Sequence, residues 1–107
     1  MARSDAMKNA LAQAWANKVD RVAIHIGDPG TTGANDSGIT HVAVTWPGGP
    51  TAGVISSNPI DISVPAGTHM THVGAWNSTD GFLESFANNI NFVDATTYRL
   101  TLRYTQS

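Results

Sequence analysis

Apolar residues near the N-terminus recur at the spacing of an α-helix. The positions follow i, i+3, i+4, i+7 and i+8: Met7, Ala10, Leu11, Ala14 and Trp15. Polar side chains take the opposite side, and Ser4 or Asp5 can cap the start. The pattern predicts a helix over about 4–18. Its apolar stripe is expected to pack either on a sheet of the same chain or on a neighbouring subunit.

From residue 20 onward, apolar and polar side chains alternate with the period of two that is typical of β-strands. Such segments lie at about 21–26, 40–46, 52–56, 59–64, 70–77, 82–87, 89–93 and 97–105. On the first strand, Ala23 and His25 are expected on the outward face, opposite Val22, Ile24 and Ile26. Short strands separated by turn residues predict a mostly β fold, an antiparallel β-sandwich or small flattened barrel with one N-terminal α-helix.

The chain of 107 residues carries little charge. Only 13% of its residues are charged, against about 25% in typical globular domains, and its net charge is −2. The absence of a basic run argues against a nucleic-acid partner, and the absence of cysteine excludes disulfides and thiolate metal ligands. No apolar run approaches the roughly 18 residues of a membrane span, and the N-terminus lacks the apolar core of a signal peptide. We expect a single domain over 1–107, with strands from about 21 to 105, no membrane association and surfaces suited to contacts between subunits.

The sequence contains no recognisable catalytic motif. It has no G-x-S-x-G elbow and no cysteine nucleophile, and the glycines of 27–33 are not followed by a phosphate-binding lysine. Glu84 is the only glutamate, and Asp61 and Asp80 are candidate partners, but nothing supports a glycosidase-type carboxylate pair. We expect a protein that is not an enzyme and that has no cofactor.

The four histidines do not follow a metal-binding pattern. His69 and His72 are three residues apart, which places them on opposite faces of a strand. His25 and His41 sit on outward faces of strands that could be neighbours, but two histidines would still need a third ligand. We expect no metal at these positions.

The loop at 27–39 combines glycines with side-chain oxygen donors. Calcium takes ligands such as Asp28, Asn35 and Asp36, but their spacing does not match a calcium-binding loop. We expect Asp28 to bond to the backbone and start the turn at Pro29 and Gly30. The length of the loop predicts an ordered surface feature with contacts outside its own sheet.

Aromatic side chains are candidates for the core, for subunit contacts and for sugar binding. Three tryptophans could form a sugar-binding platform but are more often core and interface anchors: Trp15, Trp46 and Trp76. Phe82 and Phe86 flank Glu84 on one expected strand face, which suggests a subunit contact. The candidate interface residues are Met7, Leu11, Trp15, Asp28, Pro29, Gly30, Phe82, Glu84 and Phe86.

Two separate segments resemble a family of small virion structural proteins of bacteriophages, actinobacteriophages among them, usually described as tail-fibre-like. Residues 22–35 read VAIHIGDPGTTGAN and are similar to the family segment V-x-L-H-T-x-D-P-G-x-T-G-A. Residues 71–76 read THVGAW and 81–83 read GFL, which together look like the family segment T-H-V-G-x-W…G-x-F-L. The two segments occur in the same order as in the family.

The resemblance implies a non-enzymatic virion structural protein, assembled into particles in the host bacterial cytoplasm. A capsid decoration or minor capsid protein that stabilises the particle is the first expectation, favoured by a short sequence without a coiled-coil stalk. A tail-fibre or tail-tip component is the second. A carbohydrate-binding module that contacts a host-surface glycan is an alternative of another class. The expected partners are copies of the chain itself, as a trimer or dimer, and other virion proteins such as the major capsid protein or tail proteins.

Overall fold

The computed structural model describes residues 2–106. Within them the chain forms one helix and eight strands: α1 (Asp5–Lys18), β1 (Arg21–His25), β2 (Val42–Ala43), β3 (Val54–Ser56), β4 (Ile60–Val64), β5 (Thr68–Asn77), β6 (Gly81–Phe92), β7 (Thr96–Leu100) and β8 (Arg103–Thr105). Every strand pair is antiparallel. The predicted class is confirmed: a mostly β fold of antiparallel sheets with one N-terminal helix.

The strands of the described residues form three sheets. The largest has four strands in the order β2-β1-β5-β6, and the other two are the pairs β3–β8 and β4–β7. One apolar cluster joins the inner face of the four-stranded sheet to the β4–β7 pair: Val19, Val22, Ile24, Val44, Ile60, Ile62, Val64, Met70, Val73, Ala75, Phe92 and Leu102. This arrangement is compatible with the predicted sandwich, and the described sheets do not close into a barrel.

Helix α1 begins and ends close to where the sequence predicts. Ser4 caps it, because its hydroxyl accepts a hydrogen bond from the Met7 N–H at 3.2 Å. The helix ends at Lys18, and the N–H of the following residue, Val19, still donates to the Trp15 carbonyl at 3.1 Å.

The direction in which α1 faces differs from the prediction. Ala12 and Ala16 are buried against Ile55 of β3, whereas Met7 is 52% exposed and Leu11 is 36% exposed. Small alanine side chains let the helix approach β3 closely, so Met7 and Leu11 stay outside this contact. The helix therefore packs on its own chain, and of the predicted stripe only Trp15 packs against the core.

Strand β1 is buried on both faces, which corrects the predicted outward exposure of Ala23 and His25 and the predicted burial of Ile26. His25 is fully buried although the sequence placed it on an outward face, and Ile26 is 53% exposed although it shares the period of Val22 and Ile24. The reason is topological. β1 lies between β2 and β5, its outer face is covered by the following loop, and the strand ends before Ile26.

The two strands predicted at 82–87 and 89–93 form the single long strand β6. Register shifts opposite Met70/His72 and Ala75/Trp76 each place one extra residue in β6. One shift reverses the alternation between Phe82, which pairs with Trp76, and Glu84, which pairs with Ala75. Phe82 therefore does not share a face with Glu84 and Phe86, contrary to the prediction.

The continuous strand predicted at 97–105 is interrupted between β7 and β8. There the chain passes from pairing with β4 to pairing with β3. Ser57 bridges the interruption: its hydroxyl accepts from the Leu102 N–H at 2.9 Å, and its own N–H donates to the Leu102 carbonyl at 2.9 Å. The predicted strand at 40–46 is also shorter, because only Val42–Ala43 has ladder partners. The remaining strands agree with the prediction to within two residues at each end.

Candidate interaction surface

The loop after β1 folds back over the outer face of the four-stranded sheet. The Ile26 N–H donates to the Asn35 carbonyl at 2.9 Å, and the Ser37 N–H donates to the Ile24 carbonyl at 3.0 Å. These two bonds place 34–37 beside the end of β1. The loop is therefore ordered by the sheet of its own chain, and the predicted contact outside that sheet stays a prediction.

His25 is the buried centre of this outer face. Its Nδ1 lies 2.9 Å from the Ala34 carbonyl oxygen, and its Nε2 lies 3.2 Å from Nε1 of Trp76. A carbonyl only accepts and an indole N–H only donates, so Nδ1 carries the proton and Nε2 accepts. The two bonds fix the orientation of the imidazole ring, which stacks on Trp76 with centroids 5.9 Å apart.

Gly33 lies against the outer face of the sheet, beside Phe82 and Trp76. A Cβ atom at this position would lie 2.8 Å from Cβ of Phe82 and 2.9 Å from the Trp76 ring. The residue also has φ +79°, a conformation that L side chains rarely adopt. Both the contact and the backbone conformation therefore require glycine.

Side-chain bonds within the loop fix its turns. Oδ1 of Asp28 accepts from the Gly30 N–H at 2.9 Å, which confirms the predicted role of Asp28 in starting the turn. The Asn35 amide crosses the loop and donates to the Asp28 carbonyl at 2.9 Å. Pro29 is buried, so the chain itself already covers its ring.

Asp36 and His41 form a hydrogen-bonded pair at the open end of the loop. Nε2 of His41 donates to Oδ2 of Asp36 at 2.6 Å, and the Gly38 N–H donates to Oδ1 at 3.0 Å. Partial burial alone would raise the pKa of Asp36, but the bonds from His41 and Gly38 outweigh it, so the pKa lies below its ordinary value. The His41 ring also contacts Trp76, with centroids 4.6 Å apart.

The two segments that carry the family resemblance therefore meet in space. His25 and Gly33 come from the first segment, and Trp76 and Phe82 come from the second. Together, these residues form a packed contact between the loop and the outer face of the sheet. Among residues 2–106, no three His, Cys, Asp or Glu side chains come together in a group that could hold a metal ion.

A second region lies where α1 crosses the start of β6. Nε1 of Trp15 donates to Oε1 of Glu84 at 2.6 Å, and Lys18 forms an ion pair with Asp80. The Trp15 ring stacks on Tyr104, with centroids 4.5 Å apart and planes 9° apart. These contacts connect the helix, the edge strand β6 and β8.

A groove opens beside these contacts, between β6 and the end of the chain. Its volume is about 380 Å³, and its wall is mainly apolar. It is lined by Trp15, Glu84, Phe86, Leu100, Thr101, Leu102, Arg103, Tyr104 and Thr105. The alternation of apolar residues over 98–104 is visible in the sequence, but it does not reveal that this stretch faces β6 and Trp15.

The exposed side of α1 continues into this groove. Leu11 lies one helical turn before Trp15 on the same side of the helix, and Met7 lies one turn before Leu11. Ala10 and Ala14 are exposed beside them. We call the groove and this helical side together the helix–groove surface.

The structure divides the predicted interface residues into two groups. The helix–groove surface contains Met7, Leu11, Trp15, Glu84 and Phe86. The outer-face loop and its support contain Asp28, Pro29, Gly30 and Phe82. Since Pro29 is buried and Phe82 lies under Gly33, the second group offers less free side-chain surface than the first.

All eight aromatic side chains lie within the described residues, and none of them is in the exposed class. Trp15 is covered by Tyr104 and Trp46, and Trp76 is covered by the loop. An exposed row of rings on one strand face, which a sugar platform would need, is not present in this part of the chain.

Comparison of the chain with models of protein families, with curated proteins and with solved structures finds no match in any of the three. The described residues contain no helix long and apolar enough to cross a membrane.

Proposed function

We propose that this chain is a non-enzymatic structural protein of a bacteriophage virion, a capsid decoration or minor capsid protein that stabilises the particle. Its helix–groove surface is the part that docks, on other copies and on virion proteins such as the major capsid protein. The observation that carries the proposal is the continuity between the exposed side of α1 and the groove beside β6.

Single exposed apolar residues are common on protein surfaces and need no explanation. Here, however, Met7 and Leu11 precede Trp15 on the same side of the helix, and Trp15 lines a groove whose wall is mainly apolar. A joined apolar surface of this kind favours a protein that works in contact with others. The low charge of the chain supports the same interpretation, because few charges have to be desolvated on docking.

A tail-fibre or tail-tip position is the second candidate, supported by the resemblance of 22–35 and 71–83 to tail-fibre-like proteins. The covered aromatic rings count against the sugar-binding alternative. They do not distinguish capsid from tail, because both locations use protein–protein contacts.

Quantitative mass spectrometry of purified particles tests the proposal. The particles are those of the virus that encodes the chain, and the major capsid protein serves as the internal standard. We expect hundreds of copies per particle, as for a protein that covers the shell. Single digits to tens would instead support the tail position, and absence from purified particles would contradict both.

A further inference from the structure

Strand β6 is the edge of the four-stranded sheet and is twelve residues long. Among the described residues its only ladder partner is β5, so one row of its backbone N–H and C=O groups has no strand beside it. The strand contains a single charged residue, Glu84, and neither proline nor a basic residue. Natural edge strands are usually protected by such residues or by being short.

The other edge strands of the described sheets are either very short or, at five residues, short and charged. β2 has two residues, and β3 and β8 have three each. β4 and β7 have five residues, and each carries a charged side chain, Asp61 and Arg99, which pair at 2.8 Å. β6 therefore differs from every other edge of the described chain in its length, twelve residues against five or fewer.

The two register shifts divide β6 and leave a regular stretch, Glu84–Ala87, between them. Bulges protect an edge locally because they bend it away from a flat ladder. In the regular stretch, Glu84 and Phe86 point to the core side, opposite Ala75 and Val73, and line the groove. The groove therefore lies directly beside the free part of the edge.

We propose that a second copy of this chain pairs its Glu84–Ala87 stretch with this one, antiparallel across a two-fold axis. The two four-stranded sheets then become one sheet of eight strands, and Phe86 of the second copy enters the groove. The contact rests on the proposed function, since it specifies how copies join within the proposed oligomer.

The charge pattern of β6 fits pairing with itself. Centring the two-fold on Ser85 or on Phe86 keeps the two Glu84 carboxylates apart, and only centring on Glu84 would oppose them directly. With a net charge of −2, two copies repel each other weakly. The paired stretch is short, so we expect a weak dimer, which many neighbouring contacts in a particle would reinforce.

Cysteine cross-linking tests the contact directly, because the natural chain has no cysteine. Residues opposite each other in an antiparallel pair have Cα atoms about 4.5–5.5 Å apart, within the range of about 4.4–6.8 Å that disulfides span. Under mild copper–phenanthroline oxidation, we expect the Ser85→Cys protein to form a covalent dimer if the axis lies at Ser85. If the axis lies at Phe86, the disulfide forms between Ser85→Cys and Ala87→Cys proteins in a mixture.

The matched control is Ser63→Cys, which places a thiol on an exposed position of β4. The contact is supported if either the Ser85→Cys dimer or the mixed Ser85→Cys and Ala87→Cys dimer forms at a higher rate than the Ser63→Cys dimer. Cross-linking of all proteins at the control rate would overturn it.

Sedimentation of the full chain provides a second test that needs no cysteine. We expect the mean mass to rise from 11.3 kDa toward twice that value with concentration. Ser85→Lys places like charges close together across the axis, so it should weaken the dimer by up to about fivefold, whereas Ser63→Lys should leave it unchanged. A wild-type chain that stays monomeric at about 1 mM would overturn the self-contact. Copy number in particles would still test the proposed function separately.

Discussion

Gly33 and Gly30 both have positive φ, yet only one of them lies against the sheet. At Gly30, with φ +59°, a Cβ atom would meet nothing within 4 Å, so alanine adds only backbone strain of about 1–2 kcal/mol. At Gly33 the same substitution also overlaps Phe82 and Trp76, which adds about 1–3 kcal/mol. We therefore expect Gly33→Ala to lower the free energy of unfolding clearly more than Gly30→Ala, measured by urea denaturation. Equal losses would mean that the loop does not press on the sheet.

His25 has a structural role that its sequence context does not reveal. His25→Ala removes a buried ring and leaves the Trp76 N–H and the Ala34 carbonyl without their partner, which should cost about 2–4 kcal/mol of stability. His69→Ala is the matched control, because His69 is exposed on the same sheet and bonds only to Asn89. Its loss should stay within about 0.5 kcal/mol. Denaturant unfolding of both variants measures the difference, and a stable His25→Ala protein would contradict the assignment.

At the scale of the element, α1 offers two adjacent positions with opposite environments. Ala12 is fully buried against β3, so Ala12→Asp buries a charge and should cost several kcal/mol, enough to unfold a small domain. Leu11 is 36% exposed, so Leu11→Asp should change stability by less than about 1 kcal/mol. Circular dichroism and thermal unfolding compare the two variants. If Leu11→Asp unfolds as readily as Ala12→Asp, the orientation of the helix is wrong.

The Leu11→Asp variant also separates folding from docking. Leu11→Asp should fold and yet lose incorporation into particles, since it places a charge on the helix–groove surface. Asn17→Asp introduces an equal charge at an exposed position of the same helix and should be incorporated normally. Normal incorporation of Leu11→Asp would exclude this side of the helix from docking.

The loop after β1 should respond to acid through Asp36. Its pKa lies below the ordinary value of 3.8, so the folded chain binds this proton less readily than the unfolded chain. The carboxylate therefore stabilises the fold above that value, and the stabilisation is lost as the pH falls through the lower, folded-state pKa. We expect Asp36→Asn to be less stable at neutral pH by about 1 kcal/mol and to lose less stability on acidification than the wild type.

Urea denaturation between pH 7 and pH 2 measures this effect. Asp94→Asn, in the exposed turn after β6, removes the same charge and serves as the control. The pKa of Asp61 is also lowered, by the hydrogen bond from Arg99, but that pair is present in both variants and does not affect their difference. Identical acid profiles for the wild type and Asp36→Asn would contradict the role of this pair.

The periodicity of the sequence predicts where elements lie better than which way they face. The span of α1 follows from its cap and its apolar spacing, but the buried side consists of Ala12 and Ala16, whose small side chains carry a weak hydrophobic signal. In β6, two extra residues reverse the alternation, and such bulges depend on the partner strand. The burial of His25 depends on a loop folding over it, which no local pattern specifies.

At the scale of the whole molecule, the class of fold was predictable and the pairing of strands was not. Alternation and turn residues are local and survive in the sequence, whereas the order β2-β1-β5-β6 places β1 beside β5, two strands that are far apart along the chain. The helix–groove surface depends on this order, since it brings Trp15 and Glu84, 69 positions apart, into hydrogen-bonding distance. Its residues could be proposed singly as interface candidates, but not assembled into one surface.

Amide hydrogen exchange of the whole chain should distinguish strands in the middle of the large sheet from strands in the small sheets and at the free edge. β1 and β5 have a neighbour on both sides and contribute Val22, Ile24, Val73 and Ala75 to the core, so their amides should open only with global unfolding. β3 and β8 form a separate two-stranded sheet of three residues per strand, and their amides should exchange through local opening at lower free energy. In β6, the amides that face β5 should be protected and those that face the free edge should exchange rapidly in dilute solution. Equal protection across all strands would contradict this expectation. It would mean that the small sheets open only together with the large one, although no ladder hydrogen bonds join them to it in the described part of the chain.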